Sequence, residues 1–267
     1  MLKAGVLPKV IILVLFVLCT CIDPYFQKIN RYESLPVVDG LITDENSAYT
    51  VRLSRTIQDQ NAIPALVSDA TVFITDDTGN ISNFINIGNG VYKSDSTIFR
   101  GQIGKKYVLH IKTEDGGNYE SDPCLMQDVP EIERVYYEKD QELVNNGTER
   151  LDGIRIYLDS EPGENNTYYR WEYEETWKFK VPDSPKAQYF SEQNIIPVTN
   201  PTDYCWKSQK SDEILVYSFY AGDTDPVKHK PVLFIAPDKS DRLLIQYNIL
   251  IKQYSISNSE YDFWNII

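Results

Sequence analysis

From Val37 onward the apolar positions recur with a period of two. Tyr49, Val51 and Leu53 alternate with Thr50, Arg52 and Ser54. Ala70, Val72 and Ile74 alternate with Thr71, Phe73 and Thr75, and Tyr107, Leu109 and Ile111 with Val108, His110 and Lys112. Successive side chains of a strand point to opposite faces, so each run reads as a half-buried strand. Between the runs lie Asp76-Asp77-Thr78-Gly79-Asn80, Gly88-Asn89-Gly90 and Asp115-Gly116-Gly117-Asn118, whose Gly and Asn tolerate the positive φ of tight turns. Short strands punctuated this often predict an immunoglobulin-like β-sandwich over 36–125.

Asp122-Pro123 and Val129-Pro130 mark a boundary, and strands resume in a second β-rich domain over 129–267. Ile154, Ile156 and Leu158 share a face. In the longest pattern Tyr169, Trp171, Tyr173, Trp177, Phe179 and Val181 fall on one face, with Glu175 the only interruption. Arg170, Glu172, Glu174, Thr176, Lys178 and Lys180 fall on the other, which reads as solvated. Further strands are expected at Ile214–Tyr220 and Leu243–Tyr254, and a long loop over 182–204, which holds four prolines. Ser257-Asn258-Ser259-Glu260 has the spacing of a helix capping box. Tyr261, Phe263 and Trp264 then begin an apolar helical face that stops at Ile267, so a short, truncated helix is expected. The fold class is mostly β.

The first twenty residues follow a different rule. Lys3 and Lys9 precede the apolar run Val10–Leu18, which is too short to span a bilayer but suits the core of a signal peptide. Leu18-Cys19-Thr20-Cys21 resembles the lipobox of bacterial lipoproteins. The expectation is a signal peptide over 1–20, diacylglycerol on the Cys21 sulfur, and a tether over 21–35. Each buried acyl methylene contributes about 0.8 kcal/mol, so two or three chains anchor a protein without a transmembrane helix.

Composition narrows the function. The 267 residues hold 26 basic and 39 acidic side chains, a net charge of -13. Loss of Lys3 and Lys9 with the signal leaves 24 basic against 39 acidic, or -15. Such a chain is a poor ligand for nucleic acid, where Lys and Arg displace counterions. His110 and His229 are the only histidines, which argues against multi-His metal sites. No cofactor motif is present.

Several residue sets remain as candidates. Cys124 and Cys205 could bridge or remain two thiols. Asp39, Asp44 and Glu45, or Asp76 and Asp77, carry the oxygens a calcium ion would need, without the spacing of a known loop. Glu172, Glu174 and Glu175 suggest paired carboxylates, although the flanking Arg170, Lys178 and Lys180 favour charge pairing. Trp171, Tyr173 and Trp177 could form a sugar-stacking platform, against a default of core packing. Asp95-Ser96-Thr97 resembles an O-glycosylation sequon of some Bacteroidota, with Ser96 as acceptor.

Segments spread along the chain carry a family resemblance. They are Cys21-Ile22-Asp23-Pro24-Tyr25, Val37–Asp44, Tyr49–Thr56, Ala70–Asp77, Tyr168-Tyr169-Arg170-Trp171, Cys205-Trp206, and Lys252–Ser257 leading to Tyr261-Asp262-Phe263-Trp264. Together they resemble the Bacteroidota lipoprotein family called domain of unknown function 4249. The resemblance implies an outer-membrane lipoprotein encoded beside TonB-dependent transporters, with no established enzymatic activity and with a longer C-terminal region. It also implies that the usual partner of Cys205 lies in that region, which disfavours a Cys124–Cys205 bridge. Two functions are expected: a non-catalytic accessory subunit of a TonB-dependent uptake system, or a free-standing surface module that binds carbohydrate or peptide. An enzyme is not expected.

Overall fold

The computed structural model describes residues 33–59, 62–161, 168–184, 187–191, 194–199, 203–218 and 227–266. The signal peptide, Cys21 and most of the tether lie outside the described residues, as does most of the turn after Glu161.

The first body is built from β1 (Pro36–Gly40), β2 (Thr50–Arg55), β3 (Ala70–Asp76), β4 (Ile81–Gly88), β5 (Val91–Ser94), β6 (Lys106–Thr113), β7 (Asn118–Glu120) and β8 (Cys124–Leu125). They pair in the order β1-β2-β5-β4-β3-β6-β7, with β8 also on β6. The ladder is therefore continuous from β1 to β7. Strand β4 makes the turn. Its first half pairs with β3, from Ile81↔Thr75 to Phe84↔Val72, and its second half pairs with β5, with an irregularity between Asn86 and Gly88. Strands that change partners at such bulges form the corners of curled sheets. The alternating residues Val51, Leu53, Val72, Ile74, Tyr92 and Ile111 meet inside. Phe99 packs edge-on to Tyr49 and Tyr107, with centroids 5.5 and 5.9 Å apart. Each such buried side chain contributes roughly 1.5–3 kcal/mol.

Gly90, between β4 and β5, has φ +68, and a Cβ there would fall 2.4 Å from the Leu53 carbonyl oxygen. Its own carbonyl accepts from the Leu53 N–H at 2.8 Å. Only glycine permits both the conformation and the approach.

The second body begins at β9 (Ile132–Val144), just past the proline-marked boundary, and continues through β10 (Glu149–Ser160), β11 (Tyr168–Lys180), β12 (Ala187–Ser191), β13 (Asn194–Pro197), β14 (Tyr204–Lys210), β15 (Leu215–Ser218), β16 (Val227–Ile235) and β17 (Gln246–Ser255) to helix α1 (Asn258–Ile266). One sheet has the order β16-β10-β9. In the other, β11 pairs with β17 along most of its length and, on its opposite edge, with β15 and β14 end to end. The segment expected as a loop contains the hairpin β12–β13, and the last strand starts at Gln246 because residues 241–245 form a turn. Ile156, Leu158, Val232 and Ile235 from one sheet meet Tyr169, Trp171 and Tyr173 from the other in a shared core.

The Ser257 Oγ accepts the N–H of Glu260 at 3.1 Å, which caps α1 where the capping-box spacing places it. A helix of nine residues is marginal alone. Here Tyr261 packs on Tyr168 at 4.8 Å, and Trp264 lies over Arg170. Polar contacts tie the second body to the first and to the segment that connects β8 to β9. Lys252 Nζ meets Glu45 Oε1 at 3.0 Å, Ser255 Oγ donates to the Asp128 carbonyl at 2.8 Å, and Gln253 Nε2 donates to that of Pro130 at 2.8 Å.

Candidate functional site

Strand β11 separates two environments. Its odd-numbered residues face the core and its even-numbered residues face outward. Register places the outward neighbours beside one another: Lys180 by Tyr204, Lys178 between Trp206 and Gln246, Thr176 between Ser208 and Asn248, and Glu174 between Lys210 and Leu250. This outer face carries aromatic rings, hydroxyls, amides and ammonium groups together.

At one end of the face Tyr204 and Trp206 are 47% and 53% exposed. The Lys178 ammonium lies 4.9 Å from the Tyr204 ring and 5.9 Å from that of Trp206. Thr176 Oγ1 and Ser208 Oγ share a hydrogen bond of 2.9 Å beside them. Strand β14 is an edge strand whose aromatic side chains, two residues apart, project to the same side.

At the other end α1 closes one wall of a cleft of about 480 Å³, lined in part by Arg170, Glu172, Glu174, Lys210, Leu250 and Trp264. Arg170 was expected to be solvated but is 9% exposed. Its guanidinium is held between Tyr254 and Trp264, at 5.2 and 5.0 Å from the rings, and its Nη2 meets Glu172 Oε1 at 3.2 Å. Arg170 Nε is buried without a hydrogen-bond acceptor, with Glu260 Oε1 at 4.0 Å. Burial, reinforced by the Glu172 carboxylate, pushes the Tyr254 hydroxyl up to about 12. A second cleft, of about 530 Å³, lies between the bodies, lined among others by Leu41, Ile103, Leu125 and Ile256.

The aromatic platform expected at Trp171, Tyr173 and Trp177 is corrected. These rings are 1%, 6% and 6% exposed, so no ligand can stack on them. Trp171 Nε1 donates to Gln253 Oε1 at 2.7 Å, and Trp177 Nε1 to Asp241 Oδ1 at 2.9 Å, which satisfies both indoles internally. The exposed aromatics belong to β14 instead. The signal for them was the Tyr204/Trp206 spacing, hidden by the prolines that made the preceding segment read as loop.

Cys124 and Cys205 are both free thiols, on β8 and β14 of different bodies, so the bridge is not formed. Partial desolvation, with the Glu260 carboxylate nearby, pushes the Cys124 thiol up, the opposite of what a nucleophile needs. Ser96 is exposed in a turn after β5. There the Asp95 carboxylate takes the Thr97 N–H at 2.8 Å and its hydroxyl at 2.6 Å.

Three of the acidic candidates are held by basic side chains. Asp39 pairs with Arg52 and Glu45 with Lys252. The Asp76 carboxylate accepts from Thr78, Asn80 and Lys105, which hold it well below the usual carboxylate range. Among the described residues no cluster of three His, Cys, Asp or Glu is arranged to hold a metal ion. Glu172 and Glu174 remain on the outer face, while Glu175 lies in the core.

The architecture defines a two-body, mostly β protein that ends in a short helix and presents one broad mixed aromatic and polar sheet face. Residues 22–267 match the family model described as domain of unknown function (DUF4249), and the chain belongs to that family. No curated protein matches it.

Proposed function

We propose that the protein is a non-catalytic lipoprotein, held at the outer membrane through Cys21, that serves as an accessory subunit of a TonB-dependent uptake system. The observation that carries this reading is the β9–β10 hairpin. Residues 154–160 of β10 pair with β16, whereas 149–153 pair only with β9 among the described residues, leaving a two-stranded arm. Along one face of β9, Val135, Tyr137 and Leu143 are 43%, 71% and 58% exposed. The outer edge of β9 has no strand beside it among the described residues. An isolated hairpin is marginally stable in water, and a free edge invites strand addition. The arm is nevertheless well built. Arg155 holds Asp140 at 2.5 Å and Glu142 at 3.0 Å across the strands, and Asn145, Asn146 and Gly147 turn the hairpin with positive φ. An ion-paired arm with exposed apolar side chains suits an accessory subunit docking on a larger partner, and acyl chains would raise the local concentration of such a pair.

The family match opens at residue 22, directly after Cys21, which supports a mature chain starting at that cysteine. The test is detergent extraction and affinity purification from the native host. A β-barrel transporter co-purifies with the wild type and is lost with Tyr137→Glu. A monodisperse lone lipoprotein would overturn the accessory role.

A further inference from the structure

We infer that the outer face of the sheet β14-β11-β17 binds an extended, ribbon-like oligosaccharide, with Trp206 and Tyr204 as the stacking subsite. This goes beyond the accessory role and does not depend on it.

A pyranose ring offers a face of C–H groups and a rim of hydroxyls. Its recognition calls for an accessible aromatic surface beside donors and acceptors that can reach that rim. The β14 end of the face supplies both. Tyr204 and Trp206 are about half exposed on an edge strand, so their rings are open to solvent. Lys178, set against both, restrains them, which lowers the ordering cost of binding. Thr176 and Ser208 lie one register step away, followed by Gln246 and Asn248 on the far side of β11. Hydroxyls and amides both donate and accept, as sugar hydroxyls require.

The shape of the site selects the ligand's shape. From Lys180 to Glu172 the outward row of β11 runs for roughly 26 Å at the rise of a strand. The face then enters the cleft walled by Trp264 of α1. A long, open face with aromatics at one end fits a flat sugar chain better than a single sugar or a helical one. A protein partner docking on the same rings is the competing occupant. The excess of acid over base in the chain argues against single-stranded nucleic acid, which also stacks on aromatics.

The test is titration of the soluble chain from residue 22 with cellohexaose, xylohexaose and chitohexaose, with maltohexaose as the helical comparison, read by tryptophan fluorescence and calorimetry. At least one ribbon-like hexaose binds, and its trimer binds more weakly. Trp206→Ala weakens binding by about tenfold or more, as loss of a central aromatic anchor does, and Tyr204→Ala weakens it less. Both residues lie on the surface, so circular dichroism and melting stay at wild-type values. Ile98→Ser, exposed on the first body, leaves binding unchanged. Absence of binding to all three ribbon-like hexaoses overturns the inference, as does binding that survives Trp206→Ala, or binding of maltohexaose alone. Capture of a protein by the wild type but not by Trp206→Ala, with no sugar bound, assigns the face to a partner and also overturns it. None of these outcomes bears on co-purification with a transporter, so the two readings fail separately.

Discussion

The Glu175 carboxylate, 1% exposed in the middle of β11, meets Arg242 Nη2 at 3.0 Å. Tyr247 Oη donates a second bond to Glu175 at 2.9 Å, and the Arg242 guanidinium lies 5.4 Å from the Trp177 ring. The single break in the apolar face of the longest strand is thus a fully partnered buried charge. Removing one partner leaves the other uncompensated, whereas removing both can be neutral. Arg242→Met is therefore expected to destabilise the fold by about 3–5 kcal/mol, and Glu175→Met with Arg242→Met to recover most of it. Urea denaturation of the single and double variants checks this; equal loss in both would refute it.

Acid sensitivity follows from carboxylates held below their usual range. Burial opposes the ionisation of Asp159, but the His229 backbone N–H at 2.7 Å and Arg134 Nε at 2.6 Å outweigh it, and its titration is lowered. Asp76 is lowered by Asn80, Lys105 and Thr78, and Asp140 by Arg155. A depressed carboxyl stabilises the fold fully above its unfolded value, near 4, and loses that contribution as pH falls through the folded value. The melting temperature should hold from neutral pH down to about 4 and drop below it. Asp76→Asn should make that acid decline shallower. An unchanged acid slope in Asp76→Asn would count against the assignment.

Ser257→Ala removes the cap of α1 at a cost of about 1 kcal/mol. Because the helix covers Arg170, the effect should be local. Amide exchange should rise in 258–266 before it rises in β11, and the Trp264 environment should become more polar. Uniform loosening of the second body would contradict this.

Gly90→Ala forces a Cβ against the Leu53 carbonyl at positive φ. A loss of more than about 1 kcal/mol is expected, because the substitution strains the native conformation. Thermal melting of the variant decides the point.

Much of the fold was legible from alternation alone. The β11 pattern gives its strand to within a residue at the C-terminal end, and the cap of α1 follows from four residues. Strand β9 was harder to see, because an edge strand with two exposed faces shows no clean alternation. The candidate site suffered from the same physics in reverse. Periodicity finds buried aromatics, so it pointed to Trp171, Tyr173 and Trp177. Tyr204 and Trp206 stand out only once β14 is placed beside Lys178. The closing of α1 over Arg170 is a tertiary event that strand periodicity does not encode.

The joint between the two bodies has a mechanical consequence. It rests on Lys252 with Glu45 and on side-chain bonds from β17 to the carbonyls of Asp128 and Pro130 in the segment that connects β8 to β9, while each body keeps its own apolar core. Under a pulling load applied across the joint, these few polar links give way before either apolar core does. The halves would then part like beads on a string, each with its own apolar core intact.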